Sequence, residues 1–177
     1  NSAGTALDDP LTVAQLEQEI DLERRWSAAP LVGGETLPGK TRQLSEPADR
    51  RRIVGEVAEA DEVALEQALG LAFDAAPAWD AVPAEQRAAI LERAADLIES
   101  HRAEFVSLLA REGGRCLPDG LSEVREAADY CRYYASLAER QFGSPETLKG
   151  PVGETNQLSL HGRGVFACIS PWNFPLA

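Results

Sequence analysis

The chain alternates between two periodicities, and the boundaries between them divide it. From residue 61 to 142 apolar positions recur at helical spacing. Asp61 stands as an N-cap ahead of Leu65, Ala68, Leu69, Ala72, Phe73 and Ala76, an i, i+3, i+4 stripe that predicts a buried helix face ended by Pro77. Pro83 suits the first position of a second helix, whose inward residues would be Ile90, Leu91, Ala94, Leu97 and Ile98. Phe105, Leu108 and Leu109 predict a third helix, closed by Gly113-Gly114 at the position where left-handed backbone is favoured. Pro118 opens a fourth, running to Phe142 and Gly143, with Leu121, Val124, Ala128, Cys131, Ala135 and Ala138 inside.

The flanks read differently. After a loose start, Thr12 with Gln15 at the capping-box spacing predicts a helix from 12 to Trp26, with a modest apolar stripe at Leu16, Ile20 and Leu22. Gly33-Gly34, Pro38-Gly39 and Pro47-Ala48-Asp49 punctuate residues 31–58, and Ile53–Val57 alternates, which predicts short antiparallel strands at the edge of a larger body. Beyond the helices, Glu154–Leu160 alternates. His161-Gly162-Arg163-Gly164 reads as a turn, and Val165–Ile169 is an unbroken apolar run. Such a run predicts a strand buried on both faces of a parallel sheet. No repeat or low-complexity segment interrupts the sequence.

Composition narrows the function classes. The 17 basic and 29 acidic side chains leave a net charge of −12, which repels nucleic-acid phosphates and anionic membranes through the long-range field. Arg50-Arg51-Arg52 is the one short basic patch, and its ordinary reading is a solvated strand entrance. No apolar run nears the roughly 20 residues that span a bilayer, and Asn1–Pro10 has no signal-peptide pattern. Three cysteines without close spacing fit a reducing cytoplasm, and with two histidines they assemble no zinc-type cluster, so no metal is expected. The sequence has no Met, which suggests an excised segment.

One short stretch could carry chemistry. Ligands of open α/β sheets bind at the carboxyl ends of strands, and Ser170–Pro175 follows the apolar run at such an end. Pro171 and Pro175 stiffen this loop, and between them Asn173 offers a neutral NH₂ donor. A donor fixed before charge develops is what an oxyanion hole requires. An Asn that satisfies its own loop backbone is the equal alternative on residue types alone. Cys168 lies close in sequence, but inside the apolar run it reads as an inert core thiol. Cys116 and Cys131 read as helix-edge or core residues, and His161 as a solvated turn residue. Arg125 and Arg132 are expected to pair with Glu123, Glu126 and Asp129 along their helix.

The segment Gly164-Val165-Phe166-Ala167-Cys168-Ile169-Ser170-Pro171-Trp172-Asn173-Phe174-Pro175-Leu176-Ala177 resembles the stretch of the aldehyde dehydrogenase superfamily that enters the cofactor site, with the specific Pro-Trp-Asn-Phe-Pro core. The likeness extends over roughly residues 30–177. Arg111–Ala135 and the stretch Gly153–Gly164 are similar to the 1-pyrroline-5-carboxylate (glutamate-semialdehyde) dehydrogenase half of the bifunctional proline utilisation A family. The resemblance implies an α/β, Rossmann-like NAD-binding domain of aldehyde-dehydrogenase type, here its N-terminal part, mostly helical with edge β-hairpins. It implies Asn173 as the catalytic oxyanion amide, and Ile169, Ser170, Pro171 and Trp172 as the wall of the NAD site. FAD would belong only to a preceding proline dehydrogenase domain.

Residues 1–29 would then be a connector helix or linker, and 30–150 the strands and helices of the NAD-binding domain. Residues 151–163 would form the hairpin of an oligomerisation flap, and 164–177 the first cofactor-site strand and its loop. The implied reaction is oxidation of L-glutamate γ-semialdehyde to glutamate in a cytoplasmic homo-oligomer. The nucleophilic cysteine and general-base glutamate of the family lie downstream of the matched motif, so this segment alone is expected to be inactive. Two other readings stay open: a dehydrogenase for another aldehyde, and a non-catalytic helical interaction domain.

Overall fold

The computed structural model describes all of residues 1–177. Helix α1 spans Pro10–Glu19 and not 12–26. Asp9, rather than Thr12, is its N-cap, accepting from the Leu11 and Thr12 backbone N–H groups, with Pro10 at the first turn where its missing N–H costs nothing. Thr12 Oγ1 instead donates to Asp9 Oδ2 at 2.6 Å. The helix stops early because Asp21 turns the chain. Its Oδ1 accepts from the Glu23 and Arg24 N–H groups, while its own N–H donates to Ser107 Oγ at 3.2 Å.

The freed segment becomes strand β1 (Trp26–Ala28), which lies parallel to β5 (Ile53–Glu59). A short hairpin, β2 (Leu31–Val32) with β3 (Glu35–Thr36), follows, and β4 (Lys40–Ser45) runs antiparallel along the other edge of β5. The sheet order is therefore β1-β5-β4. The expected antiparallel edge is present, with a parallel strand added from what was read as linker. Gly55 permits that addition, because a Cβ there would stand 2.0 Å from the Trp26 carbonyl oxygen.

Helix α2 (Glu62–Asp80) is capped by Asp61, as its sequence indicates, but it continues through Pro77. In the last turn the proline forfeits one bond to an exposed carbonyl, and Ala81 N–H still reaches the Pro77 oxygen at 3.2 Å. Its stripe is not buried: Leu65, Leu69 and Phe73 are exposed, and only Ala64 is enclosed. Helices α3 (Ala84–Ser100) and α5 (Leu117–Phe142) pack through small residues, with Ala88, Ala95, Ala128 and Ala135 fully buried. Of the residues expected inside α3, Ile90 and Leu97 are exposed while Leu91, Ala94 and Ile98 are half-buried. Alanines set the contact because they allow two helix backbones to approach closely.

Helix α4 (Arg102–Gly113) crosses this pair and carries the centre of the core. Leu16, Val106, Leu109, Leu121 and Val124 form one buried cluster, with Phe105, Ile98 and Leu176 packed against it. Gly114 caps α4 in the left-handed region, at φ +65°. The first residues are tied down too: Ser2 N–H donates to Asp129 Oδ1 at 2.7 Å and Ala3 N–H to Glu99 Oε1 at 2.9 Å. The hairpin after α5 pairs β6 (Glu146–Leu148) with β7 (Asn156–Leu158), so it begins upstream of residue 151 and its second strand is shorter than the alternation indicates.

The largest departure lies at 165–169. These residues form no strand, and Phe166 and Ile169 are exposed. A strand buried on both faces needs parallel neighbours on either side, and the three-stranded sheet offers none at this place.

Candidate functional site

Residues 171–176 form a compact turn seated on the C-terminal end of α4. Phe174 N–H donates to the Pro171 carbonyl at 3.4 Å, which leaves Trp172 and Asn173 at the apex. Both are exposed. Asn173 has φ below zero and takes no part in the bond that closes its turn. Asn173 is exposed, and no hydrogen bond ties its side-chain amide to the loop.

Three contacts hold the turn. Leu176 joins the core cluster, and Pro175 lies over Gly113, its Cγ 3.7 Å from where a Cβ would stand. The Arg115 guanidinium carbon sits 5.5 Å from the centroid of the Phe174 ring, an attraction between a cation and the ring's negative face. Between Trp172, Pro175 and the α4 residues Phe105, Leu108 and Glu112 a hollow of about 380 Å³ remains.

Arg115 is itself fixed. Its N–H bonds to the Leu109 carbonyl at 3.1 Å, and its side chain donates to Glu123 Oε1 at 3.1 Å. Glu123 is 3% exposed. Helical spacing pointed to Arg125 and Arg132 as partners of Glu123, Glu126 and Asp129, and this is corrected: Glu123 faces inward to Arg115, while Arg132 reaches across to Asp96 at 2.8 Å and to Glu99 of α3. Glu126 instead accepts from the Tyr130 hydroxyl, and Asp129 holds Ser2.

The approach to the turn is held at another point. Asp80, at the end of α2, accepts from Gly162 N–H at 2.6 Å and lies 3.2 Å from His161 Nδ1. The Gly162 bond holds the Asp80 carboxyl below the usual carboxylate range; burial opposes it, and His161 and Arg87 add to the lowering. Together with Trp79, Arg87 and Phe166 this contact borders a hollow of about 560 Å³.

The structure thus brings Pro171, Trp172 and Asn173 together on one anchored turn, with Ile169 and Ser170 leading into it as open backbone. Cys168 is exposed, not buried, so burial gives no reason to call it inert. Cys116, also exposed, donates to Asp119 Oδ2 at 3.1 Å. No group of three or more His, Cys, Asp or Glu side chains is arranged to hold a metal ion. Sequence reasoning did not single out Arg115, and it placed Glu123 on a solvated helix face rather than in the interior. The available signal was an acidic residue falling among the apolar positions Leu121, Val124 and Ala128 of α5.

From Gly164 to Ala177 there is no charged side chain. Ile169 and Trp172 expose apolar surface there, and the one carboxylate bordering the hollow beside Trp172 is Glu112 of α4.

Residues 36–177 match the aldehyde dehydrogenase family, and the chain belongs to it. All of the chain is 38% identical, over 179 aligned residues, to the bifunctional protein PutA of Klebsiella aerogenes, of which it covers 13%. A crystal structure of proline utilization A from Bradyrhizobium japonicum shares 52% identity over 67% of the chain and 12% of that protein, with a TM-score of 0.65. The 1-pyrroline-5-carboxylate dehydrogenase of Thermus, solved with bound NAD, superposes on 99% of the chain and 35% of its own length, with a TM-score of 0.88 at 26% identity. The chain spans about an eighth of the length of the PutA relatives that it matches. Its fold is the N-terminal segment of an aldehyde dehydrogenase domain.

Proposed function

We propose that this chain supplies the oxyanion amide and part of the NAD-site wall of an aldehyde dehydrogenase that oxidises L-glutamate γ-semialdehyde, in equilibrium with 1-pyrroline-5-carboxylate, to glutamate. The observation that carries this reading is the exposed, proline-bracketed Asn173 amide on a turn anchored to α4, in a chain of the aldehyde dehydrogenase family. The substrate rests on the names of the relatives, which include PutA proteins and 1-pyrroline-5-carboxylate dehydrogenases.

When a nucleophile adds to the aldehyde carbon, the carbonyl oxygen becomes an anion. Asn173 then donates an N–H to it, and the stiff turn keeps that donor aimed without reorganisation during the reaction. Being neutral, the amide does not stabilise a competing charge state of the free site. Ile169, Ser170, Pro171 and Trp172 would hold the dinucleotide through backbone and apolar surface, with the Trp172 face as the broadest element. NAD held there would supply the hydride acceptor for the oxidation.

The nucleophilic cysteine and general base are assigned to parts of the protein outside residues 1–177, so the isolated segment is expected to turn over no aldehyde. A flavin, if the protein has one, would likewise sit elsewhere. Cytoplasmic location and homo-oligomeric assembly belong to the same reading; no helix of the chain is long and apolar enough to cross a membrane.

The test is Asn173→Ala in the full-length protein. It should lower kcat for glutamate semialdehyde by about 10²–10³-fold, the usual effect of losing one oxyanion donor. A deuterated aldehyde establishes whether hydride transfer limits the rate. An unchanged kcat with hydride transfer limiting would remove the assignment.

A further inference from the structure

We infer that Arg115 and Glu123 are positioning residues for the Asn173 turn, acting through the Phe174 ring. The inference rests on the oxyanion reading of Asn173 and extends it to two side chains on other elements.

Four features support it. Gly114 in the left-handed region and the Arg115 N–H bond to Leu109 fix the Arg115 backbone at the end of α4. Glu123, on α5, is almost wholly buried and commits Oε1 to Arg115, while Oε2 is buried with no partner. A carboxylate kept buried with one unsatisfied oxygen is costly unless the bond it does make serves the fold or the site. The Arg115 guanidinium carbon then lies 5.5 Å from the ring centroid of Phe174, the residue next to Asn173. The path runs from the interior of α5 to the ring beside the amide in two contacts.

A contact of this kind suits arginine, because a guanidinium can offer a flat, weakly hydrated face to a ring while an N–H stays on the carboxylate. Lysine would keep the charge and lose the face. An oxyanion donor displaced by about 1 Å can lose much of its effect, so the position of Phe174 bears on Asn173 directly.

Hydrogen exchange and kinetics on the full-length protein test this. Arg115→Leu, and Arg115→Lys less completely, should speed exchange of the Phe174 amide, which closes the turn, with little change in the amides of α3. Both should lower kcat about tenfold, with KM for NAD little changed, and Glu123→Gln should give a smaller loss in the same direction. In an Asn173→Ala background the Arg115 substitutions should have almost no further effect on kcat, whereas a purely structural loss would persist there. Unchanged Phe174 exchange in Arg115→Leu overturns the clamp itself, whatever the kinetics. Faster exchange with an undiminished kcat loss in the Asn173→Ala background overturns the link to the amide. An Asn173→Ala variant with unchanged kcat sinks the oxyanion reading alone, and the exchange measurement still decides the clamp.

Discussion

Arg111 and Glu46 form a deeply buried ion pair, Nε to Oε1 at 2.7 Å, with side chains 5% and 10% exposed. The guanidinium also donates to the Arg24 and Ile53 carbonyls and lies 5.3 Å from the Trp26 ring centroid. One arginine on α4 thus joins the segment after α1, strands β1 and β5, and the loop after β4. Removing one member strands a buried charge. Glu46→Leu should therefore destabilise the domain by about 3–5 kcal/mol, while the double change Glu46→Leu with Arg111→Met should be milder than either single change. Denaturant unfolding followed by far-UV circular dichroism checks the order. A double variant less stable than both singles would contradict it.

Gly114 combines left-handed backbone with a close neighbour, since a Cβ would meet Pro47 Cγ at 3.1 Å. Gly114→Ala should cost about 1–2 kcal/mol in stability, from the conformational penalty and the contact. Because Arg115 follows it, the same change should also loosen the Phe174 turn. Thermal unfolding and Phe174 amide exchange give the two readouts, and a variant as stable as the parent would argue against the strained geometry.

The Asp80–Gly162 bond carries a pH dependence of known sign. The folded carboxyl titrates below its ordinary value near 3.8, chiefly through the Gly162 N–H. Its contribution is fully present above that value and is lost as pH falls through the lower folded value. The Gly162 amide resonance should shift in acid with a midpoint under 3.8, and Asp80→Asn should abolish the shift. A midpoint above the ordinary value would mean that the bond does not favour the charged form.

Thiol accessibility separates the three cysteines. Cys116 and Cys168 are exposed and should react with an aromatic disulfide reagent in the native protein, with Cys131, half-buried on α5, slower. In the full-length enzyme Cys168→Ala should retain turnover, because the proposed nucleophile lies elsewhere. Loss of turnover with normal folding would make Cys168 a catalytic candidate again.

Much of this organisation was legible from the sequence. Asp61 as a cap, the Gly113-Gly114 closure and α5 from Leu117 to Phe142 follow from local rules, because capping and helical period are properties of a few neighbouring residues. The Pro-Trp-Asn-Phe-Pro turn was legible for the same reason. Its two prolines restrict the loop whatever surrounds it.

The tertiary structure decided what depends on a partner distant in sequence. Trp26 joins a strand because Gly55 lets β5 approach it, and α1 ends at Glu19 because Asp21 finds Ser107, 86 residues away. Val165–Ile169 has a strand's composition without strand neighbours, since pairing requires a second backbone that periodicity cannot supply. Glu123 could have met Arg125 or Arg115 by sequence. Its inward placement on α5 chose Arg115, because a buried carboxylate must take the cation that reaches it, and that choice puts a guanidinium against the ring beside Asn173.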